Sequence, residues 1–394
     1  MSARAVALAA LALALAACGG SDEDGAKRSG PGGGGQRPAA GGSANAAGSP
    51  AAGGSANAAG SPAARPLTDA QLAGQHVVFP FAGHTVPRAL LARIRRGEAA
   101  GVIFLGANLG TPAQVRALTR TLRRTPRPAG LRAPLLLMVD QEGGSVQRLP
   151  GAPSRSAPEM AATGRPSVAV AEGRATAATL RAAGMNVDLA PVVDVVRPES
   201  ALHAEGRGFG VSATGAARFG AAFARGLAAG GVAATAKHFP GFGAATENTD
   251  VGAVRIAVGL RELRAVDRLP FTSAVRAGAG LVMLSSAVYP ALSPAPAVLS
   301  PRVVQRELRD GVGFQGVTIS DDLEAPAFAS RGGAPGAALA ATRAGVDLLL
   351  FARTYGGADR AARAVTAALR AGKVDRRALE QSLARVLALR GSLR

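Results

Sequence analysis

Tryptophan is absent from this 394-residue chain, tyrosine occurs twice, and aromatic residues make up only 4% of it. A nucleic-acid surface built on stacking aromatics is therefore excluded. Cysteine occurs once, at Cys18, so no disulfide can form within one chain. Lysine occurs three times, at Lys27, Lys237 and Lys373, and arginine carries nearly all of the +19 formal charge. The arginines are scattered through helix-like segments rather than gathered in a stripe, so no nucleic-acid partner is expected. A loose attraction to anionic wall or membrane surfaces suits such a charge better. The four histidines, His76, His84, His203 and His238, show no paired ligand spacing, and no HExxH helix exists. Neither a metal nor another cofactor is expected. A Gly-x-Ser-x-Gly elbow for serine hydrolysis is missing too. What remains is a 48% apolar chain, enough to fill a sizeable core from Ala, Val and Leu.

The N-terminus reads as a targeting segment. Arg4 supplies a short positive region, and the apolar run Ala5–Ala17 is too short to span a membrane as a mature helix. It ends in Leu15-Ala16-Ala17-Cys18-Gly19, which looks like a bacterial lipoprotein signal. Residues 1–18 are expected to be that signal. Cys18 would be lipidated, tethering an exported protein to the bacterial cell membrane on its outer side. The plainer alternative is a secretory signal with an incidental cysteine. Residues 19–65 are low in complexity, and AAGGSANAAGSP occurs twice in tandem, at 39–50 and 51–62. Such a Gly/Ala/Ser composition cannot bury a core and reads as a disordered, flexible linker.

From residue 66 to 394 strand-like and helix-like segments alternate, the pattern of a parallel α/β fold. The apolar runs are HVVFPF (76–81), GVIFLG (101–106), PLLLMVD (134–140) and MNVDLAPVVDV (185–195). VAATAKHF (232–239), LVMLSS (281–286), GVTISDD (316–322) and DLLLFAR (347–353) follow. Eight runs predict a single (β/α)₈ TIM-type barrel, with no second domain expected after the eighth unit. A doubly wound sheet is the alternative, and it would want a glycine-rich phosphate turn after an early strand. Helical spacing marks Ala213–Ala229 and Arg360–Ala371 as two of the intervening helices.

Several runs deliver charged residues to their C-terminal ends, where barrels build active sites. AKHFPGFGAATENTD (236–250) carries Lys237 and His238 into a glycine-rich loop. GFQGVTISDDLEAPA (313–327) delivers Asp321 and Asp322, of which one should face the cavity and the other flank it. VDQEGGSVQRLPG (139–151) presents Asp140 and Arg148, and RGFG (207–210) presents Arg207. Carboxylate and guanidinium groups suit paired hydrogen bonds to vicinal hydroxyls. Taken alone, Asp140 and Arg148 could equally be a salt bridge holding a loop.

These four segments, in this order, resemble glycoside hydrolase family 3, in particular its β-N-acetylglucosaminidase branch. The resemblance runs from about Leu67 to Leu389. It implies that Asp321 is the nucleophile of a retaining glycosidase, forming a glycosyl-enzyme ester that water later cleaves. It implies that Asp140, Arg148, Arg207, Lys237 and His238 contact a terminal sugar. The substrate would be a terminal β-linked N-acetylglucosamine or a related β-hexose, on cell-wall fragments or oligosaccharides, and the protein a monomer.

The same resemblance exposes a departure. The branch reads Lys-His-Phe-Pro-Gly-His-Gly and then Asp-Ser-His, whose final histidine is the acid/base oriented by the aspartate. Here Phe242 replaces the first loop histidine, Asn248 takes the aspartate's place, and Asp250 takes that of the acid/base. Ser286 stands where a histidine is frequent. Three readings stay open at this level. Asp250, or neighbouring Glu247, serves as a carboxylate acid/base; or the acid is lost and only good leaving groups are released. In the third, the domain is a carbohydrate-binding pseudoenzyme of the cell envelope.

Overall fold

Eight short strands pair in parallel, each with its successor in the chain. They are β1 (Val77–Phe79), β2 (Gly101–Ile103), β3 (Leu136–Val139) and β4 (Val187–Asp188), then β5 (Ala233–Phe239), β6 (Leu281–Leu284), β7 (Val317–Ser320) and β8 (Leu349–Leu350). The computed structural model describes residues 66–393. The expected signal segment, Cys18 and the tandem-repeat linker lie outside the described residues. The register runs Val78↔Gly101, Gly101↔Leu136, Met138↔Val187, Val187↔Ala233, Thr235↔Leu281 and Leu281↔Val317. Closure comes from Val77↔Leu349 and from a parallel bridge between Ile319 and Leu348. A sheet that returns to its first strand without reversing order is a barrel, and the doubly wound alternative falls away.

The two-residue period of a strand sorts its side chains between two cores. Val78, Ile103, Met138, Leu189, Met283, Ile319 and Leu350 fill the barrel interior. Val77, Phe79, Val102, Leu137 and Val282 face the surrounding helices. With few aromatics to fill space, the outer layer closes by bringing backbones together. Helices Pro166–Ala182 and Ala213–Ala229 cross at Gly173 and Gly226, where an added Cβ would overlap the facing carbonyls of Phe223 and Val170. The second of these helices has the bounds expected from its spacing. The helix expected at 360–371 instead spans Tyr355–Arg370, because the Thr354 hydroxyl caps it by accepting from the Gly357 N–H at 2.9 Å.

The N-terminal end of the barrel is plugged by the helix Arg376–Ser392. Its Val386 joins the interior cluster, and Leu389 packs against it. Arg390 is fully buried and donates to the carbonyls of Ala133 and Pro134 and to the Gln75 side chain. Burial, reinforced by Arg127, brings the Arg390 guanidinium down to about 10. Among the described residues no helix is long and apolar enough to cross a membrane. The opposite, C-terminal end of the barrel is left open to the loops.

Candidate active site

At that open end, a cavity of about 300 Å³ is bordered by Asp140, Arg148, Arg207, Lys237, His238, Asp250 and Asp321. The structure thus brings together all seven residues that the sequence marked for chemistry in the folded domain. Its wall is apolar on the barrel side, through Ile103, Leu189, Met283 and Leu350. This volume sits at the low end for small-molecule sites and suits a single ring better than a polymer.

The first group of residues comes from β3 and the hairpin after it, Gln141–Gly143 against Val146–Gln147. Gln141 organises this hairpin. Its amide nitrogen donates to the Leu149 and Ala152 carbonyls at 2.9 Å, and its oxygen accepts from the N–H groups of Arg148 and Leu149. The salt bridge between Asp140 and Arg148 does not form. Asp140 pairs with Lys237 at 2.7 Å instead. Arg148 is exposed, and among the described residues its guanidinium has no hydrogen bond or ion pair. It is free to meet a ligand.

Glu142, which the sequence reading passed over, is the centre of the electrostatics. It is 7% exposed. Lys237 reaches it at 2.6 Å, and Arg207 grips it with two parallel bonds of 2.8 and 2.9 Å. Burial alone would raise the Glu142 carboxyl, but Lys237 and Arg207 outweigh it and hold it at about 2. The reciprocal holds for the cations. Burial would lower Lys237, yet Asp140 and Glu142 raise it, and Glu142 with Glu205 does the same for Arg207. Glu205 also borders the cavity and bonds Arg207 at 2.9 Å. Lys237 and Arg207 therefore lock one buried carboxylate between them while both still border the cavity.

His238 depends on a second missed residue. Asp194 is fully buried at the end of the NVDLAPVVDV run. Its carboxylate accepts from the His238 N–H, the Phe242 N–H at 2.6 Å and the His238 Nδ1 at 2.8 Å. With Asp194 accepting, Nδ1 carries the proton and Nε2 is left for a ligand. Phe242 packs edge-on against the imidazole, 5.7 Å between centroids. The replaced loop histidine has thus become an apolar wall of the cavity. Sequence offered one signal for Asp194, a carboxylate inside an apolar strand, which has to be paired.

Both acids after β7 border the cavity, so the expected division of labour holds only in part. Asp321 is half-buried, and its Oδ1 accepts from the Asp322 N–H at 2.8 Å. Asp322 is tied down, accepting from the Glu324 and Ala352 N–H groups and from Arg353 Nε at 2.9 Å. Burial pushes it up to about 6 against those donors. Asp250 lies on the long loop after β5, exposed to solvent, with Asn248 Oδ1 accepting from its N–H at 3.0 Å. Burial on its inner side and the nearby Asp321 raise the Asp250 carboxyl, while Arg353, His238 and Arg207 pull the other way. Glu247 is exposed and does not border the cavity. Ser286 is buried outside it, with its hydroxyl unpartnered.

The chain has counterparts among known proteins. Residues 76–389 match the model of the glycosyl hydrolase family 3 N-terminal domain. The chain is 37% identical over 329 residues to an uncharacterized secreted glycosyl hydrolase of Arthroderma benhamiae, covering 82% of this chain and 93% of that one. It is 39% identical over 266 residues to a beta-hexosaminidase of Stenotrophomonas maltophilia, covering 65% and 77% respectively. Among solved structures, a beta-N-acetylhexosaminidase from Beutenbergia cavernae superposes with a TM-score of 0.76 at 33% identity, covering 83% of this chain and 99% of that one. A β-N-acetylglucosaminidase from a Paenibacillus species gives a TM-score of 0.78 at 31% identity, and this chain spans 63% of that longer one.

Proposed function

This chain belongs to glycosyl hydrolase family 3 and is a glycoside hydrolase, and from that premise we propose that it releases terminal β-linked N-acetylglucosamine with retention. Asp321 is the nucleophile and Asp250 the acid/base. In the first half-reaction an Asp321 oxygen bonds to the anomeric carbon as the glycosidic bond breaks. The departing oxygen keeps the bond's electron pair and takes the proton held by Asp250. In the second, water gives its proton to Asp250 and attacks the same carbon, freeing Asp321. One observation carries the reading. The two carboxyls border one cavity with the Asp140, Lys237 and Arg148 groups, and burial together with the nearby Asp321 raises the cost of ionising Asp250. An upward shift is the direction a carboxylate needs to act as the proton donor. Asp140, Arg148, Arg207, Lys237 and the Nε2 of His238 are assigned to the sugar hydroxyls.

The N-terminal sequence and the secreted relative favour export, and Cys18 favours a lipid anchor on the outer face of the cell membrane. External oligosaccharides or wall fragments are then the natural substrates.

Purified protein is incubated with an aryl β-N-acetylglucosaminide and an aryl β-glucoside, beside Asp321→Asn and Asp250→Asn variants. Asp321→Asn is expected to abolish turnover. Asp250→Asn should spare aryl substrates with good leaving groups and lose disaccharides, with azide restoring rate by intercepting the glycosyl-enzyme. Undiminished turnover by Asp321→Asn sinks the nucleophile, and preference for the glucoside sinks the sugar assignment.

A further inference from the structure

The loop that carries Asp250 has Asn248 and Asp250 where the family resemblance implies an aspartate–histidine pair, and a different group holds it. Asn248 no longer orients a side chain; it accepts from the Asp250 backbone. The external contact comes from Arg353, in the loop after β8. Arg353 Nη2 donates to the Asp250 carbonyl at 3.2 Å and lies 3.5 Å from its Oδ1, while Nε of the same guanidinium holds Asp322 at 2.9 Å. Arg353 is itself anchored. Glu324 accepts from the Arg353 and Thr354 N–H groups and from the Thr354 hydroxyl at 2.6 Å. Glycine at 357 is required there, because a Cβ would overlap the Glu324 carboxylate. Arg353 does not border the cavity, so it reaches the substrate only through the residues it holds.

We propose that Arg353 is a positioning residue of the glycosidase, clamping the Asp250 loop to the strand end that bears Asp321 so that acid/base and nucleophile stay in register. This rests on the assignment of Asp250 as the acid/base. Because one planar guanidinium bonds both segments, its fork geometry matters as well as its charge. The groups that face Asp250 are Asp321 from β7, Arg353 from the loop after β8, His238 from β5 and Arg207 from the loop after β4. Of these only Arg353 touches the Asp250 loop and the nucleophile segment together. Removing it takes away a cation that favours the ionised acid, so the alkaline limb of kcat/KM should move to higher pH.

The test compares Arg353→Met, Arg353→Lys and Asp250→Asn on a disaccharide and on an aryl glycoside with a good leaving group. Arg353→Met is expected to lose about 10- to 100-fold on the disaccharide, as a misplaced catalytic group does. It should lose little on the aryl substrate and show the displaced alkaline limb. Arg353→Lys should restore the limb but only part of the rate. Thermal melts establish that each variant is folded. Equal losses on both substrates with an unmoved limb would overturn the clamp and leave Arg353 merely structural. An unaffected Arg353→Met beside a crippled Asp250→Asn overturns the clamp alone. A disaccharide cleaved at full rate by Asp250→Asn overturns the acid/base assignment and the clamp with it.

Discussion

Replacing Glu142 by glutamine tests whether the buried charge network holds the active-site end of the barrel together. The carboxyl moves from 4.5 to about 2 on folding, because two cations overcome its burial. At ~1.4 kcal/mol per unit this is worth roughly 3 kcal/mol, in the range measured when one partner of a buried pair is removed. The folded value lies below the unfolded one. The contribution is therefore complete above pH 4.5 and disappears as pH falls towards 2. A barrel of roughly 330 residues unfolds with an entropy near 0.7 kcal/mol/K, so losing about 3 kcal/mol lowers Tm by about 4–5 °C. The assay is thermal unfolding of the parent and Glu142→Gln by circular dichroism across the acid range. The gap in Tm should be full at neutral pH and shrink to less than half by about pH 3. A gap that is absent at neutral pH, or constant with pH, refutes the reasoning.

Asp194→Asn should lower kcat/KM about 10- to 100-fold with little change in the far-ultraviolet spectrum, because the imidazole loses the acceptor that sets its tautomer; steady-state kinetics checks it. Gly243→Ala would put a Cβ into the Val195 carbonyl and push the Asp250 loop outward, so KM should rise and kcat fall together. Arg390→Met, at the far end of the barrel, leaves buried carbonyls unpaired. It should cost on the order of 2–4 kcal/mol in denaturant unfolding while kcat/KM at 25 °C stays unchanged.

All eight strands were legible because each is a short apolar run that ends in Asp, Lys, Ser or another turn-forming residue. The charged strand ends also announced the cavity. What escaped was partnership. Asp140 was weighed against Arg148, eight residues away in the same segment, whereas its partner Lys237 lies 97 positions along the chain. Glu142 looked like one more acid in a loop because its two cations arrive from β5 and from the loop after β4. Asp194 and Arg353 were missed for the same reason. Their contacts span 44 and 103 positions, and only the closing of the barrel brings them to His238 and Asp250. Burial is a property of the assembled layers, so the depth of Glu142 could not be read from GGS-rich surroundings that look exposed.

The helix Arg376–Ser392 also ties distant parts of the chain together. Its Val386 and Arg390 complete the floor on which β1 and β3 rest, so the first strands of the barrel depend on a segment 256 to 315 positions further along the chain. Deleting the last two turns of that helix would therefore unseat strands far from the cut rather than trim a surface.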